Sequence, residues 1–147
     1  MTIAQDVLPE WGHDAVLSTL ARADAERLKA FAEPLIADLP QIEVLENRTG
    51  LVMLPMRDTA QGTHFHLGEI LMSEARITAG TQDGYGMRRG RDLEAVMAMA
   101  VIDVAVALGV STAECLVFLA AEADAQATAD HDTLCRVEAT RVNMETF

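Results

Sequence analysis

His64 and His66 are one residue apart and Glu69 follows three positions later, in the segment HFHLGE. On a strand, alternate side chains share a face, so the two imidazoles point the same way, as two ligands of a transition metal would. A bulge at Gly68 would let Glu69 join them. Catalytic zinc usually takes three protein ligands, however, and the other histidines, His13 and His131, fall in distant helical segments. The segment therefore reads as a half-exposed strand face, metal-dependent hydrolysis ranks last among three functional readings, and no metal ligand is assigned.

A second stretch, GYGMRRGRD (84–92), sets Arg88, Arg89 and Arg91 just ahead of a helix start, with Gly84, Gly86 and Gly90 permitting unusual backbone angles. Arginines beside a helix N-terminus suit an anion, and the guanidinium matches phosphate or carboxylate with two parallel donors. The three arginines are the candidate substrate or phosphate contacts. The glycine spacing fits neither a nucleotide-binding P-loop nor a dinucleotide fingerprint, and a solvated turn, or salt bridges to acidic residues of a partner, is favoured over a ligand site. Ser18, Ser73 and Ser111 lack a frame for activation, and Cys115 and Cys135 fall on helix faces. Asp103 interrupts an apolar helix and suits a buried structural ion pair, with Arg76 or Arg91 as partner. No catalytic residue is assigned.

The elements that must carry these groups give an α+β fold: a small antiparallel sheet of about four strands packed with N-terminal, central and C-terminal helices. One domain over 1–147 is expected, helical over 1–39, sheet over 42–89 and helical again over 91–141. Leu17, Leu20, Leu28, Phe31 and Leu35 have helical spacing and mark two short helices, with Asp24 capping the second and Pro34 ending it. IEVLENRTGLVMLPM reads as a hairpin turning near Gly50. DTAQGT is the next turn, HFHLGEILMSEARITA a long strand bulged at Gly68, and GTQDG a turn into a short strand at 85–89. The helix from Leu93 to Leu108, capped by Asp92 and stopped by Gly109, is apolar nearly all round, which calls for a second protein surface to cover it. STAE (111–114) has capping-box spacing for another helix. The Ala- and charge-rich tail has few large anchors, so it would be marginal alone and firmer when docked on a partner.

The chain's 147 residues carry a formal charge of −12, which argues against nucleic acid or an anionic membrane as main partner. Two distant cysteines fit a reducing compartment, and the N-terminal stretch lacks the basic and apolar regions of a secretory signal, so a soluble cytoplasmic protein is expected. Eight methionines suit adaptable contact surfaces.

Four segments in order, RTGLVMLPMRD, FHLGEILMSEARI, GYGMRRGRDLEAVMAMAVIDVA and EATRVNMETF, resemble PhnG, the small G subunit of the bacterial carbon–phosphorus lyase core complex. The resemblance runs from about Ile42 to Phe147 and falls on Gly50, Phe65, Gly68, Glu69, Gly90, Arg91, Asp92, Asp103, Thr140, Arg141 and Val142. The family pattern often has Arg where His64 stands and Asn or an apolar residue where His66 stands, which makes the two histidines incidental. It also has a Thr-Arg pair at Ser73-Glu74, leaving any role for that arginine without a carrier here, and an aromatic pair at Met144-Glu145. The resemblance implies a subunit assembled with H-, I- and J-type subunits as a dimer of heterotetramers, so with two copies per complex and the I-type subunit its closest contact. With the H, I and L proteins it would take part in replacing the adenine of ATP by methylphosphonate, giving ribose 1-methylphosphonate 5-triphosphate. ATP with magnesium would be substrate of the complex, and this chain would hold no cofactor. The competing reading is a free-standing small domain that binds a nucleotide or phosphorylated metabolite.

Overall fold

The computed structural model describes residues 11–143; positions 1–10 and 144–147, with the Met144-Glu145 pair, lie outside the described residues. The order is α1 (His13–Arg22), α2 (Ala25–Leu35), a 3-10 turn (Ile36–Asp38), β1 (Ile42–Arg57), β2 (His64–Ala79), β3 (Gln82–Arg89), α3 (Leu93–Leu108) and α4 (Thr112–Ala139). The sheet is antiparallel in the order β1-β2-β3. The α+β class stands, with three strands in place of about four.

The missing strand has a local cause. Gly50 is not a turn: it keeps extended backbone and pairs with Met72, so β1 runs through it unbroken for 16 residues. The expected bulge is displaced by one residue. Leu54 pairs with Gly68 and Pro55 with His66, which leaves Leu67 as the extra residue. A second irregularity leaves Leu45 unpaired on β1. Gly80 and Thr81 join β2 to β3, with a positive φ of 62° only at Gly80, the arrangement of a type II′ hairpin, so β3 starts at Gln82, ahead of Tyr85.

Helix ends follow the local chemistry. Asp24 caps α2 by accepting from the Arg27 amide at 3.0 Å, and Asp92 caps α3 by accepting from the Ala95 amide at 3.0 Å. Pro34 lies in the last turn of α2, after which the chain tightens into the 3-10 turn. Gly109, at φ 70°, ends α3 with the amides of Gly109 and Val110 reaching back to Val106 and Ala105. The capping box at 111–114 does not form: Ser111 sits at φ 49° with no side-chain bond into α4.

The core lies around α3, buried on every face from Ala98 to Val106. The sequence pattern demanded a second protein to cover this helix, and the chain itself does so. Strands β2 and β3 lie on one side, α1 and α2 on the other, and the first turns of α4 add Cys115 and Leu119. Gly84 and Gly86 make the approach possible, since a Cβ at either position would collide with the α3 backbone at the Ala100 or Val96 carbonyl. Both keep ordinary strand angles; of the three glycines in GYGMRRGRD only Gly90, at φ 96°, uses the left-handed region.

Two parts stand outside this core. Residues 64–71 of β2 pair only with β1, because β3 begins its ladder at Met72. The resulting two-stranded arm projects by roughly 27 Å at about 3.4 Å per residue. Cross-strand partners share a face, so Val52, Met56 and Phe65 lie on one side of the arm and Leu51, Met53 and Leu71 on the other, all exposed. The second part is the end of α4, where every residue from Ala127 on is exposed, Leu134 and Val137 included.

Candidate functional site

The three arginines ahead of α3 do not converge. Arg88 lies on the α3-facing side of β3 and donates to the carbonyls of Leu20 and, at 2.6 Å, Ala23. Those carbonyls close the C-terminal end of α1, so the guanidinium acts as a helix cap. Burial lowers its pKa, and Asp92, Asp24 and Glu122 oppose that shift. Arg89, the next residue on the strand, lies on the opposite face. Arg89 and Arg91 are exposed and form no ion pair among the described residues. The α3 N-terminus holds the carboxylate of Asp92, which also takes Lys29 Nζ at 2.9 Å. The amide end and the Lys29 partner hold the Asp92 pKa below its usual value.

Asp103, 3% exposed, pairs with neither Arg76 nor Arg91. One oxygen takes His13 Nε2 at 2.8 Å and the other accepts the Tyr85 amide at 2.9 Å. Burial raises its pKa, while Tyr85 and His13 oppose the shift. The dyad fastens the first turn of α1 to the middle of α3 and to the edge strand. Nothing local in the sequence could have shown it, since the partners are 90 positions apart.

The remaining reactive groups are scattered. His64 and His66 share one face near the end of the arm, with Glu69 beyond the bulge at Leu67, and among the described residues no three His, Cys, Asp or Glu side chains form a metal-sized cluster. Cys115 is buried and its thiol is pushed up to about 11, unsuited to nucleophilic work. Cys135 is exposed, 3.6 Å from His131 on the same helix. Ser73 is buried and donates to the Arg88 carbonyl at 3.3 Å.

Phe65, Gly68 and Glu69 lie on the arm, Gly50 pairs with Met72 at its base, and Arg141 follows α4, paired with Glu138 at 3.3 Å. The profile of the family described as phosphonate metabolism protein PhnG matches residues 13–147. The chain belongs to the PhnG family. The match begins at the first residue of α1, so the PhnG pattern takes in the two N-terminal helices as well as the stretch from Ile42 onward. No curated protein matches the chain. Several of the residues on which the sequence resemblance falls thus sit outside the core, on the arm and beyond α4. Their signal was legible: Leu51 to Leu54 are consecutive apolar residues, which in a strand puts apolar groups on both faces. Among the described residues no helix is long and apolar enough to cross a membrane.

A polar cluster fixes α4 to the body. Glu122, buried, accepts from Arg27 Nε at 2.6 Å and Nη2 at 3.2 Å and from the Asp24 amide at 3.4 Å. The Arg27 guanidinium is the main cause of a lowered Glu122 pKa. A carboxylate with a lowered folded pKa adds stability above its ordinary value of 4.5, and that stability is lost as pH falls through the folded value. Asp103 has the opposite sign. Thermal melts from neutral pH down to about pH 3 should therefore fall more steeply for the native chain than for Glu122→Gln. Parallel profiles would remove Glu122 from the acid response.

Proposed function

We propose that the chain is a structural and assembly subunit of the carbon–phosphorus lyase core complex. In that complex it takes part with H-, I- and L-type proteins in forming ribose 1-methylphosphonate 5-triphosphate from ATP and methylphosphonate. ATP with magnesium is the substrate of the assembly, this chain holds no cofactor, and the J-type subunit completes a core with two copies of each chain. Family membership supports the phosphonate reading. The observation that carries the assembly role is the arm: Leu51 and Leu67 are 64% and 60% exposed on a two-stranded ribbon with apolar residues on both faces. A lone hairpin is marginal in water, and a contiguous apolar surface of this kind marks a contact site. The arm is buried between surfaces of the other subunits, the I-type subunit first among them, and Arg89 and Arg91 are the arginines left available for a phosphate in the complex.

Co-expression of the tagged chain with H-, I- and J-type subunits should yield a stable equimolar complex. Leu51→Glu with Leu67→Glu should abolish that complex while shifting the stability of the isolated chain by less than about 0.5 kcal/mol, as surface changes do. A complex that survives both substitutions would sink the arm's role. The second reading, a free-standing nucleotide binder, draws on Arg89 and Arg91, which form no ion pair among the described residues. It requires calorimetric heat from the lone chain with ATP, lost on Arg91→Ala.

A further inference from the structure

Between α2 and α3, reaching Asn47 of β1, runs an open groove of about 730 Å³. Its floor is the ridge of Leu93, Met97 and Val101, spaced by four along α3, with Ile36 at one end. Its rims carry Glu26 and Glu33 on α2 and Glu94 on α3. The one cation lining it, Lys29, is already held by Asp92 at 2.9 Å and Glu26 at 3.4 Å, whereas Glu33 and Glu94 form no ion pair among the described residues. The groove therefore has an apolar floor and acidic walls on both sides.

A trough between two packed helices presents ridges and hollows at the spacing that a third helix fills. Carboxylates on both rims select which helix: one whose apolar ridge is flanked by Lys or Arg, because an acidic flank would meet like charge on both sides. We infer that this groove docks an amphipathic, basic-flanked helix of a partner protein, as a second contact surface separate from the arm. The inference rests on the reading of the chain as a subunit, and it concerns a different face.

The probe is a synthetic helical peptide with leucines at i, i+4, i+7 and i+11 and lysines on both flanks, followed by fluorescence anisotropy with the full chain. Controls are the same composition with the leucines scattered and the same ridge flanked by glutamates. Glu33→Lys with Glu94→Lys should weaken the lysine peptide by roughly tenfold, the effect of removing two rim attractions, and should admit the glutamate peptide. Asp124→Lys with Asp132→Lys, an equal charge change on exposed positions of α4, should leave binding nearly unchanged. Equal losses from both double variants would mean bulk charge attraction and overturn the inference. Equal binding of the scattered peptide, or no binding by the native chain, whether because a second copy fills the groove or because nothing does, would overturn it too. Complex formation with the H-, I- and J-type subunits is read separately, so failure of the groove and failure of the subunit reading give different results.

Discussion

Gly86→Ala lowers the stability of the chain by about 3 kcal/mol, the upper end for overpacking a core, because the atom in its way cannot rotate aside. A Cβ there meets the Val96 carbonyl, with Val96 Cγ2 at 3.1 Å and the Ala100 amide nitrogen at 3.2 Å behind it. Relief requires α3 to lift from β3, which opens the contact that buries Val96 and Ala100. Gly84→Ala behaves alike, meeting the Ala100 carbonyl and, at 2.9 Å, Val104 Cβ. Gly50→Ala is the control: it has open space and extended backbone, so it should be neutral or slightly stabilising. In thermal denaturation the Gly86 variant should melt lower by roughly 6 to 12 °C for a chain of this size. A midpoint equal to that of Gly50→Ala would show that the sheet and α3 do not need this close approach.

Arg88→Met should cost about 3 kcal/mol, since it removes two charge-assisted hydrogen bonds, leaving the Leu20 carbonyl only the Ala23 amide and the Ala23 carbonyl without the guanidinium. Methionine keeps most of the aliphatic stem, so the loss reports on the guanidinium. Arg88→Lys should recover only part of it, because a compact ammonium does not reproduce the planar fork that spans both oxygens. Arg89→Ala and Arg91→Ala should each stay within about 0.5 kcal/mol of the native chain, as exposed positions with no ion pair among the described residues do. The ordering is checked by urea denaturation of the four variants. If Arg88→Met melts with the native chain while Arg91→Ala does not, the roles given to these arginines are reversed.

The features legible in the sequence are those whose cause lies within a few residues. Asp24, Asp92 and Gly109 mark helix ends because a cap bonds to amides or carbonyls of the adjacent turn. The periodicity of α3 was equally plain. What covers α3 was not, because the helices on its outer side come from both ends of the chain. Gly50 misled for a different reason: glycine is common in turns, but extended backbone also accommodates it. Gly84 and Gly86 suggest conformational freedom by residue type and serve instead as space for another backbone. At the candidate site, the arginine cluster was visible as composition, but its dispersal was hidden because strand alternation sends neighbours to opposite faces. The Arg88 partners, 65 and 68 positions away, carry no local mark.

Pro55 sits in β1, an edge strand of the sheet, between apolar neighbours. Proline has no amide hydrogen, so within a ladder it is tolerated where the missing donor would have pointed away from the paired strand. Pro55 also lies at the register shift beside Leu67, so β1 loses regularity near the tip of its most apolar stretch, and the extra residue at Leu45 adds a second irregularity near the start of the strand. An exposed apolar ribbon with a regular open edge would otherwise template edge-to-edge pairing of copies. A proline and a bulge on an open edge strand both oppose edge-to-edge pairing with another copy.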